Sequence, residues 1–551
     1  MKKNLSLLLA LELVLNVASA RAFSSDYRDY VDWPITDQPI TVTIGIKLDN
    51  SATDWTLEDN WFFNWAMAKT GLTFEFETIQ ASALADQKQL LFNSDQLPDV
   101  MWGWDLTPVE MVKYGSQENM LLPLNQYMTP EIMPNLCKWL EAYPETYDVI
   151  TAPDGNIYSL PYFYKLTRTA GGSTRVFINE THLKELGKEK PKTLDEMVDV
   201  LYAFKQTHPD LTPVGASASG SDLRDFFLNS YGYVCEGSND YGMGIALRNG
   251  KLLIPAADPT FKDFLTLMNQ FYNDSIIYQD YFLLDKDTVG AEQLASRVLL
   301  IENAPPGDDY DSWKNWTASY PLTSEQNSER VWLGPKLFQC GGMALSSNCE
   351  HPAEFLKFID FFYSDLGVVY TWNGPVTGSE DAMGNENVGY TIAEDGNFVT
   401  TGVKNGLYAS AWPNNLHFQL PCGICVGANC CSVTHPELNT EVALLSSAAG
   451  IEPKTTAWSV TSNKDNYFRA SMEEFVTPYE TSDYPFYVYM TEEQTNRVNE
   501  LRAVIAPYVE REVAEFITGA RSLDEFDQFV SELESMGIRE YEQLYRDATG
   551  R

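Results

Sequence analysis

The chain has 551 residues and a net charge of −39, from 77 acidic and 38 basic side chains. No cluster of Lys or Arg interrupts that excess, which excludes a nucleic-acid footprint and attraction to an anionic membrane surface. Hydrophobic residues make up 44% and aromatic residues 13%, too much apolar material for a disordered chain, and the length calls for two or more domains.

Met1-Lys2-Lys3 precedes an apolar run from Leu5 to Val17, then Ala18-Ser19-Ala20 and Ala20-Arg21-Ala22. A basic start, an apolar stretch and small-residue cleavage options predict a signal peptide over 1–22 and work outside the cytoplasmic membrane, secreted, at the cell surface or periplasmic. No other segment has the 18 or more apolar residues of a membrane span. Residues 23–36 read as a tether. Ile40 to Lys47 reads as a strand, Thr56 to Lys69 as a helix stopped by Gly71, Leu72 to Thr78 as a strand, Ala81 to Asn93 as a helix and Val100 to Trp102 as a buried strand. This β-α-β-α-β start predicts an α/β sheet with helices on its faces.

A second α/β unit is expected from about residue 165. Asp154-Gly155 marks a turn, with Ile157 to Leu160 and Arg175 to Asn179 as strands and Thr181 to Leu186 as a short helix. Thr193 and Glu196 have the spacing of a capping box for a helix to about Gln206. Pro259 to Asn273 and Pro352 to Ser364 follow as helices, Leu294 to Ile301 as a strand after a short helix, and Trp332 to Leu345 as strand-rich. Residues 373–406 read as loops and a hairpin. The tail is helical over Glu492 to Phe516, Ser522 to Met536 and Ile538 to Asp547.

Of eight cysteines, Cys422, Cys425, Cys430 and Cys431 fall in a C-x2-C-x4-C-C cluster. Zinc, local disulfides and free thiols are three readings of it, none implying redox catalysis. The five histidines, His182, His208, His351, His417 and His435, are scattered and read as surface or packed residues. Asp308-Asp309-Tyr310-Asp311 lacks the Gly and Glu of a full calcium loop. Phosphate loops, dinucleotide loops, H-E-x-x-H and the G-x-S-x-G elbow are absent. With 77 acids, carboxylate pairs arise by chance, so no glycosidase pair is read from spacing. No cofactor, metal or catalytic residue is expected.

The most informative stretch is Leu97 to Trp104, where a short buried strand ends at Gly103 between two tryptophans. In open α/β sheets the ligand crevice lies outside the carboxyl ends of the strands. Indole faces there suit a ligand with apolar faces and many hydroxyls, such as a sugar. A ring over one pyranose face removes on the order of 50 Å2 of apolar area, worth about 1 kcal/mol. Trp102 and Trp104 are therefore expected in the cleft. Asp105, Asn373 and Glu380 are the expected hydroxyl partners. Trp61 and Trp65, on an amphipathic helix, read as core.

Several motifs occur in one order: Leu97-Pro98-Asp99-Val100, Asp154-Gly155-Asn156-Ile157-Tyr158-Ser159-Leu160-Pro161, Phe177-Ile178-Asn179 with Leu183, Leu186 and Gly187, and Pro191 to Glu196. Gly341-Gly342-Met343-Ala344, His351-Pro352-Ala353-Glu354 and Phe516-Ile517-Thr518-Gly519 complete the set. The chain resembles the bacterial extracellular solute-binding proteins of family 1, the large carbohydrate-type branch serving ABC importers. The resemblance implies a two-lobe periplasmic-binding-protein-like fold of type II, each lobe a sheet flanked by helices, closing about a hinge. It implies lobe 1 over 23–165 plus 335–408 and lobe 2 over 166–334 plus 409–551. It also implies an oligosaccharide ligand, with Tyr162 and Tyr164 after Leu160-Pro161 and Trp372, Trp412 and Tyr231 as further cleft rings, ABC importer permease subunits as partners, a monomer and no catalysis. A secreted polysaccharide hydrolase or lyase, an adhesin and a peptide-binding variant of the same importer class are the rivals. No cysteine precedes Cys137, so the lipid anchor common in such proteins is not expected.

Overall fold

The computed structural model describes residues 33–48, 57, 60–163, 175–218, 222–236, 239–302, 307, 310–386, 388–392, 398–400, 403–404, 407–408, 422–424, 446, 449–450, 464–481 and 483–551. The expected leader, Tyr164, Trp412 and three of the four clustered cysteines (Cys425, Cys430 and Cys431) lie outside them. No helix among the described residues is long and apolar enough to cross a membrane.

Contacts divide the chain into two units. The first holds the described residues of Met1–Thr107, Tyr114–Thr167 and Phe338–Ala457, and the second those of Pro108–Lys113, Arg168–Leu337 and Trp458–Arg551. Expected crossings at 165/166 and 334/335 compare with 167/168 and 337/338. The expected passage to lobe 2 at 409 is corrected. Gly423–Ile424 still pairs in parallel with Leu160–Phe163 of the first unit, and among the described residues the second unit resumes with the helix Lys464–Phe475.

The first unit is built on a six-stranded sheet in the order Gly423–Ile424, Leu160–Phe163, Phe338–Leu345, Val100–Trp102, Ile40–Leu48, Leu72–Gln80. Ile40–Leu48 runs parallel to both its neighbours, with Ile44 opposite Val100 and Ile40 opposite Leu72. Phe338–Leu345 enters antiparallel between Val100–Trp102 and Leu160–Phe163. The helix Trp61–Thr70 is started by Asn60, whose side chain accepts from the N–H groups of Phe62 and Phe63, and ended by Gly71 at φ 79°. Trp61, Phe62, Phe63, Trp65 and Ala66 are all buried. Asn64, Met67, Ala68 and Lys69 stay partly or fully exposed, and Pro352–Asp360 with the 3-10 turn Phe361–Tyr363 supplies part of the cover for the buried rings.

The family-like motifs prove to be joints. Asp99 accepts the N–H and hydroxyl of Thr43 at 2.8 Å each, pinning Val100–Trp102 to Ile40–Leu48. Asp154 collects the hydroxyls of Ser116 and Tyr158, both at 2.6 Å, and the N–H of Asn156 at 2.9 Å. Burial pushes the Asp154 carboxyl up, but these hydrogen bonds outweigh it and bring its pKa down to about 2. Gly341 sits at φ +91°, and its carbonyl accepts the Leu106 N–H at 2.7 Å. A Cβ there would lie 2.0 Å from the Leu106 carbonyl oxygen, so only glycine permits this approach.

The second unit centres on a four-stranded sheet in the order Trp316–Ala318, Val176–Asn179, Leu300–Glu302, Val214–Gly215. Only the last pair is parallel. A three-stranded meander, Val234–Cys235, Ala246–Arg248 and Lys251–Leu253, lies elsewhere in this unit. The Thr193–Glu196 capping box forms at the head of Leu194–Thr207. Asn179 caps Glu180–Glu185 by accepting from the N–H groups of Thr181 and His182. The tail helices Glu492–Thr518, Phe526–Met536 and Ile538–Thr549 share one core with Phe261–Asn273. Asn269 donates to the carbonyls of Phe516 and Ile517 at 2.9 and 3.2 Å, closing the end of the long helix that Gly519 terminates.

Candidate functional site

In each unit the carboxyl ends of the parallel strands form the edge where loops can meet a ligand. In the first unit Val100–Trp102 leads through Gly103 to Asp105, and Ile40–Leu48 ends beside Lys47. The Gly103 N–H donates to Gly342 at 2.7 Å, holding the turn down on the neighbouring strand. Asp105 takes the left-handed conformation at φ +49°, which a short polar side chain tolerates. Its carboxylate pairs with Lys47 and remains 66% exposed, against 17% for the lysine. This ion pair is the polar face of the edge.

The two indoles expected there are spent on packing. Trp102 is 0% exposed, its ring held edge-on between Phe63 and Phe362 at 5.6 Å each. Trp104 is also 0% exposed. Its indole N–H donates to the Gly45 carbonyl at 2.9 Å, and Phe92 packs nearly perpendicular to it with centroids 6.0 Å apart. A Cβ on Gly45 would come within 2.9 Å of the Trp104 ring, so the glycine is there to admit the indole. A ring without an exposed face stacks on nothing, and the expectation of cleft tryptophans is corrected at both positions.

Tyr162 is buried within the Leu160–Phe163 strand. Tyr231 belongs to the core of the second unit, its hydroxyl donating to the Asp263 carbonyl at 3.3 Å. Asn373 is buried as the C-cap of Asp365–Trp372, its N–H donating to Val369 at 2.7 Å. Trp372 closes that helix instead of sitting in the loop beyond it, and its side chain is outside the described set. Glu380 is exposed at the head of a short 3-10 turn. Of the expected contacts, Asp105 and Glu380 keep their polar groups open to solvent.

The second unit carries a different edge, which sequence reasoning missed. Leu300–Glu302 and Val214–Gly215 run parallel, so Glu302 and the segment after Gly215 lie at the same end. That segment leads to Asp222 and Arg224. The Arg224 guanidinium is 4% exposed and grips Asp222 through Nε at 2.9 and 2.7 Å and through Nη2. The Tyr281 hydroxyl donates to the same carboxylate at 2.7 Å. Tyr241 lies over the guanidinium, with Cζ 3.7 Å from the ring centroid. Nη1 of Arg224 is buried and finds no acceptor among the described residues.

Backbone strain collects at the same place. Asp240 and Tyr241 are consecutive non-glycine residues at φ +46° and +58°. Each costs of order 1 kcal/mol and persists where the surroundings over-determine it, as at ligand clamps. Here Asp240 is held by Arg502 and Tyr241 by Arg224. Glu302 completes the cluster. Burial pushes its pKa up to about 7, nearby Arg175 pulls it down and Asp222 pushes it further up. The signals in the sequence were Arg224 and Asp225 directly before Phe226-Phe227-Leu228 and a Glu at the end of Val298-Leu299-Leu300-Ile301. A charge set against an apolar run reads as a buried, paired charge.

These edges carry polar groups that suit a neutral, hydroxyl-rich solute: the exposed Asp105 carboxylate in the first unit, and in the second the Arg224–Asp222 pair, whose Nη1 has no acceptor among the described residues. Known proteins bear on the class. The chain is 24% identical over 517 residues, 87% of its length and 85% of the relative's, to the fructooligosaccharide ABC transporter substrate-binding protein FusA of Streptococcus pneumoniae. The structure of FusA in complex with kestose matches 92% of this chain and 98% of its own at 19% identity, with a TM-score of 0.63. An extracellular solute-binding protein from Bifidobacterium longum subsp. infantis matches 93% and 98% at 18% identity, with a TM-score of 0.68. Those likenesses establish the two-lobe type II binding-protein fold. The sequence profile of the bacterial extracellular solute-binding proteins matches residues 58–369, more than half of the chain, and to that family this protein belongs.

Proposed function

We propose that this protein captures an oligosaccharide outside the cytoplasmic membrane and delivers it, unaltered, to an ABC importer. The observation that carries the reading is the match along 87% of the chain to a relative named for fructooligosaccharide uptake. The chemistry of the edges agrees. Asp105 with Lys47 in one unit and Asp222, Arg224, Tyr241 and Glu302 in the other offer planar hydrogen-bonding groups and a ring face. Vicinal sugar hydroxyls lose water on binding and need such partners. The charge of −39 disfavours polyanionic glycans as ligands. Export through the leader 1–22 and action as a monomer without nucleic acid belong to the same proposal.

The test is a thermal-shift screen against neutral fructo-, gluco-, galacto- and manno-oligosaccharides with a peptide library alongside. A specific ligand raises the melting temperature, and the rise grows with the logarithm of its concentration above Kd. Calorimetry of the hits should give one site, and chromatography should recover the sugar intact. Stabilisation by peptides alone would replace the ligand class, and a cleaved sugar would replace transport by catalysis.

A further inference from the structure

Outside the residues of either edge cluster, three side chains of the second unit meet with no role in the reading above. His182 and Glu185 stand one turn apart on the helix Glu180–Glu185, and His208 is the C-cap of Leu194–Thr207. Nδ1 of His182 and Nε2 of His208 each lie 3.3 Å from the same carboxylate oxygen, Oε2 of Glu185. All three donor atoms fall within 4.8 Å of one another. Zinc holds N and O ligands at about 2.0–2.1 Å in a tetrahedron, which places neighbouring donors roughly 3.3 Å apart. Both edges that meet at Oε2 have that length before any ion is considered.

The surroundings set the donors in the ligating state. Nε2 of His182 is 2.8 Å from the Ser296 carbonyl oxygen, which only accepts, so that nitrogen carries the proton and donates. In the neutral ring the lone pair is then on Nδ1 and faces Glu185. A backbone carbonyl on the far nitrogen is the usual outer partner of a metal-bound histidine. Nε2 of His208 is shielded from solvent and makes no hydrogen bond of acceptable geometry. Phe204 supports both imidazoles, at 4.9 and 4.8 Å. Lone pairs of like polarity thus converge on a point that a cation would relieve.

We propose that His182, Glu185 and His208 form a site for a divalent first-row transition metal, with zinc as the reference ion. Two imidazoles and one carboxylate suit zinc, copper or nickel, whereas calcium and magnesium demand oxygen ligands. The side chains are 14%, 45% and 24% exposed in that order, so solvent reaches the group and a water can take the fourth position. The bound ion would tie Glu180–Glu185 to the end of Leu194–Thr207, bracing the second unit independently of its solute.

The experiment uses the full chain without an affinity tag, stripped with a chelator and titrated with zinc chloride at neutral pH by calorimetry. One equivalent should bind, and His182→Gln, His208→Gln and Glu185→Gln should each weaken it by about tenfold or more, since even outer partners of metal ligands act on that scale. Zinc should raise the melting temperature of the parent and leave that of the His182→Gln/His208→Gln variant unmoved. Cobalt(II) in place of zinc should show ligand-field bands without a sulfur-to-metal charge-transfer band. The proposal is overturned by zinc affinity that survives all three substitutions, by a sulfur charge-transfer band, which assigns the metal to cysteines, or by the absence of a saturable equivalent. Melting temperatures measured without metal distinguish lost ligation from lost folding.

Discussion

The two units place their aromatic and charged residues in opposite ways. At the carboxyl edge of the first unit, Trp102 and Trp104 are sealed among Phe63, Phe362, Phe92 and Gly45, while Asp105, paired with Lys47, stays exposed. At the corresponding edge of the second unit an arginine, two acids and a strained tyrosine cluster, with one guanidinium nitrogen lacking an acceptor among the described residues. Large rings at a strand end are thus no guide to a ligand by themselves, because burying them stabilises the fold by itself. Charges drawn out of water are the better guide, because their burial has to be offset by partners.

Four substitutions or pairs of substitutions would break or sharpen that contrast. Trp102→Ala should have the largest effect, destabilising the protein by about 4 kcal/mol through the cavity it leaves. Denaturant unfolding would measure it, and the folded fraction should keep its oligosaccharide affinity. Affinity lost at full stability would return Trp102 to the ligand.

Arg224→Met should cost about 3 kcal/mol, because it leaves Asp222 buried without its cation. Adding Asp222→Asn should restore much of that stability while oligosaccharide binding stays abolished. Recovery of both would make the cluster a structural pair and nothing more.

The third prediction sets two carboxyls against each other across pH. Folded Glu302 keeps its proton up to about pH 7, whereas the unfolded chain releases it near the ordinary value of 4.5. Stability therefore falls as pH rises through that window, and Glu302→Gln should flatten the fall. Asp154 behaves oppositely: it stays ionised down to about pH 2 against an ordinary 3.8. Its contribution is present above the ordinary aspartate range and is lost as pH drops towards 2, and Asp154→Asn should remove it. Melting temperatures between pH 3 and 8 would show slopes of opposite sign. Equal slopes in both variants would contradict the assignment.

Asp105→Asn is the mildest change. Its side chain is mostly exposed, so stability should move by less than about 0.5 kcal/mol. If Asp105 meets the sugar, affinity should drop several-fold, about 1 kcal/mol, the scale of one hydrogen bond. Unchanged affinity by calorimetry would confine the ligand contacts to other residues.

Much of the architecture was legible before the coordinates. The helices over Trp61–Thr70, Leu194–Thr207, Phe261–Asn273 and the tail follow from apolar spacing and from Thr193, Gly71 and Gly519 at their ends. The expected helix to Ser364 instead breaks after Asp360, whose side chain accepts the N–H groups of Asn135 and Leu136 at 3.0 and 2.9 Å. The site was far less legible. Leu97 to Trp104 reads the same whether its rings face solute or core, and the choice rests with Phe63 and Phe362, distant in sequence.

Taken alone, the order of residues determined the α/β alternation, the caps and turns and the family, because each depends on neighbours within a few positions or on short motifs kept in order. Only tertiary structure decided which side of Trp102 is covered, that Tyr241 lies over Arg224, and that His182 and His208 share one carboxylate. Those outcomes need segments tens to hundreds of residues apart to be brought within a few ångströms. Packing decides that, and local periodicity does not record it.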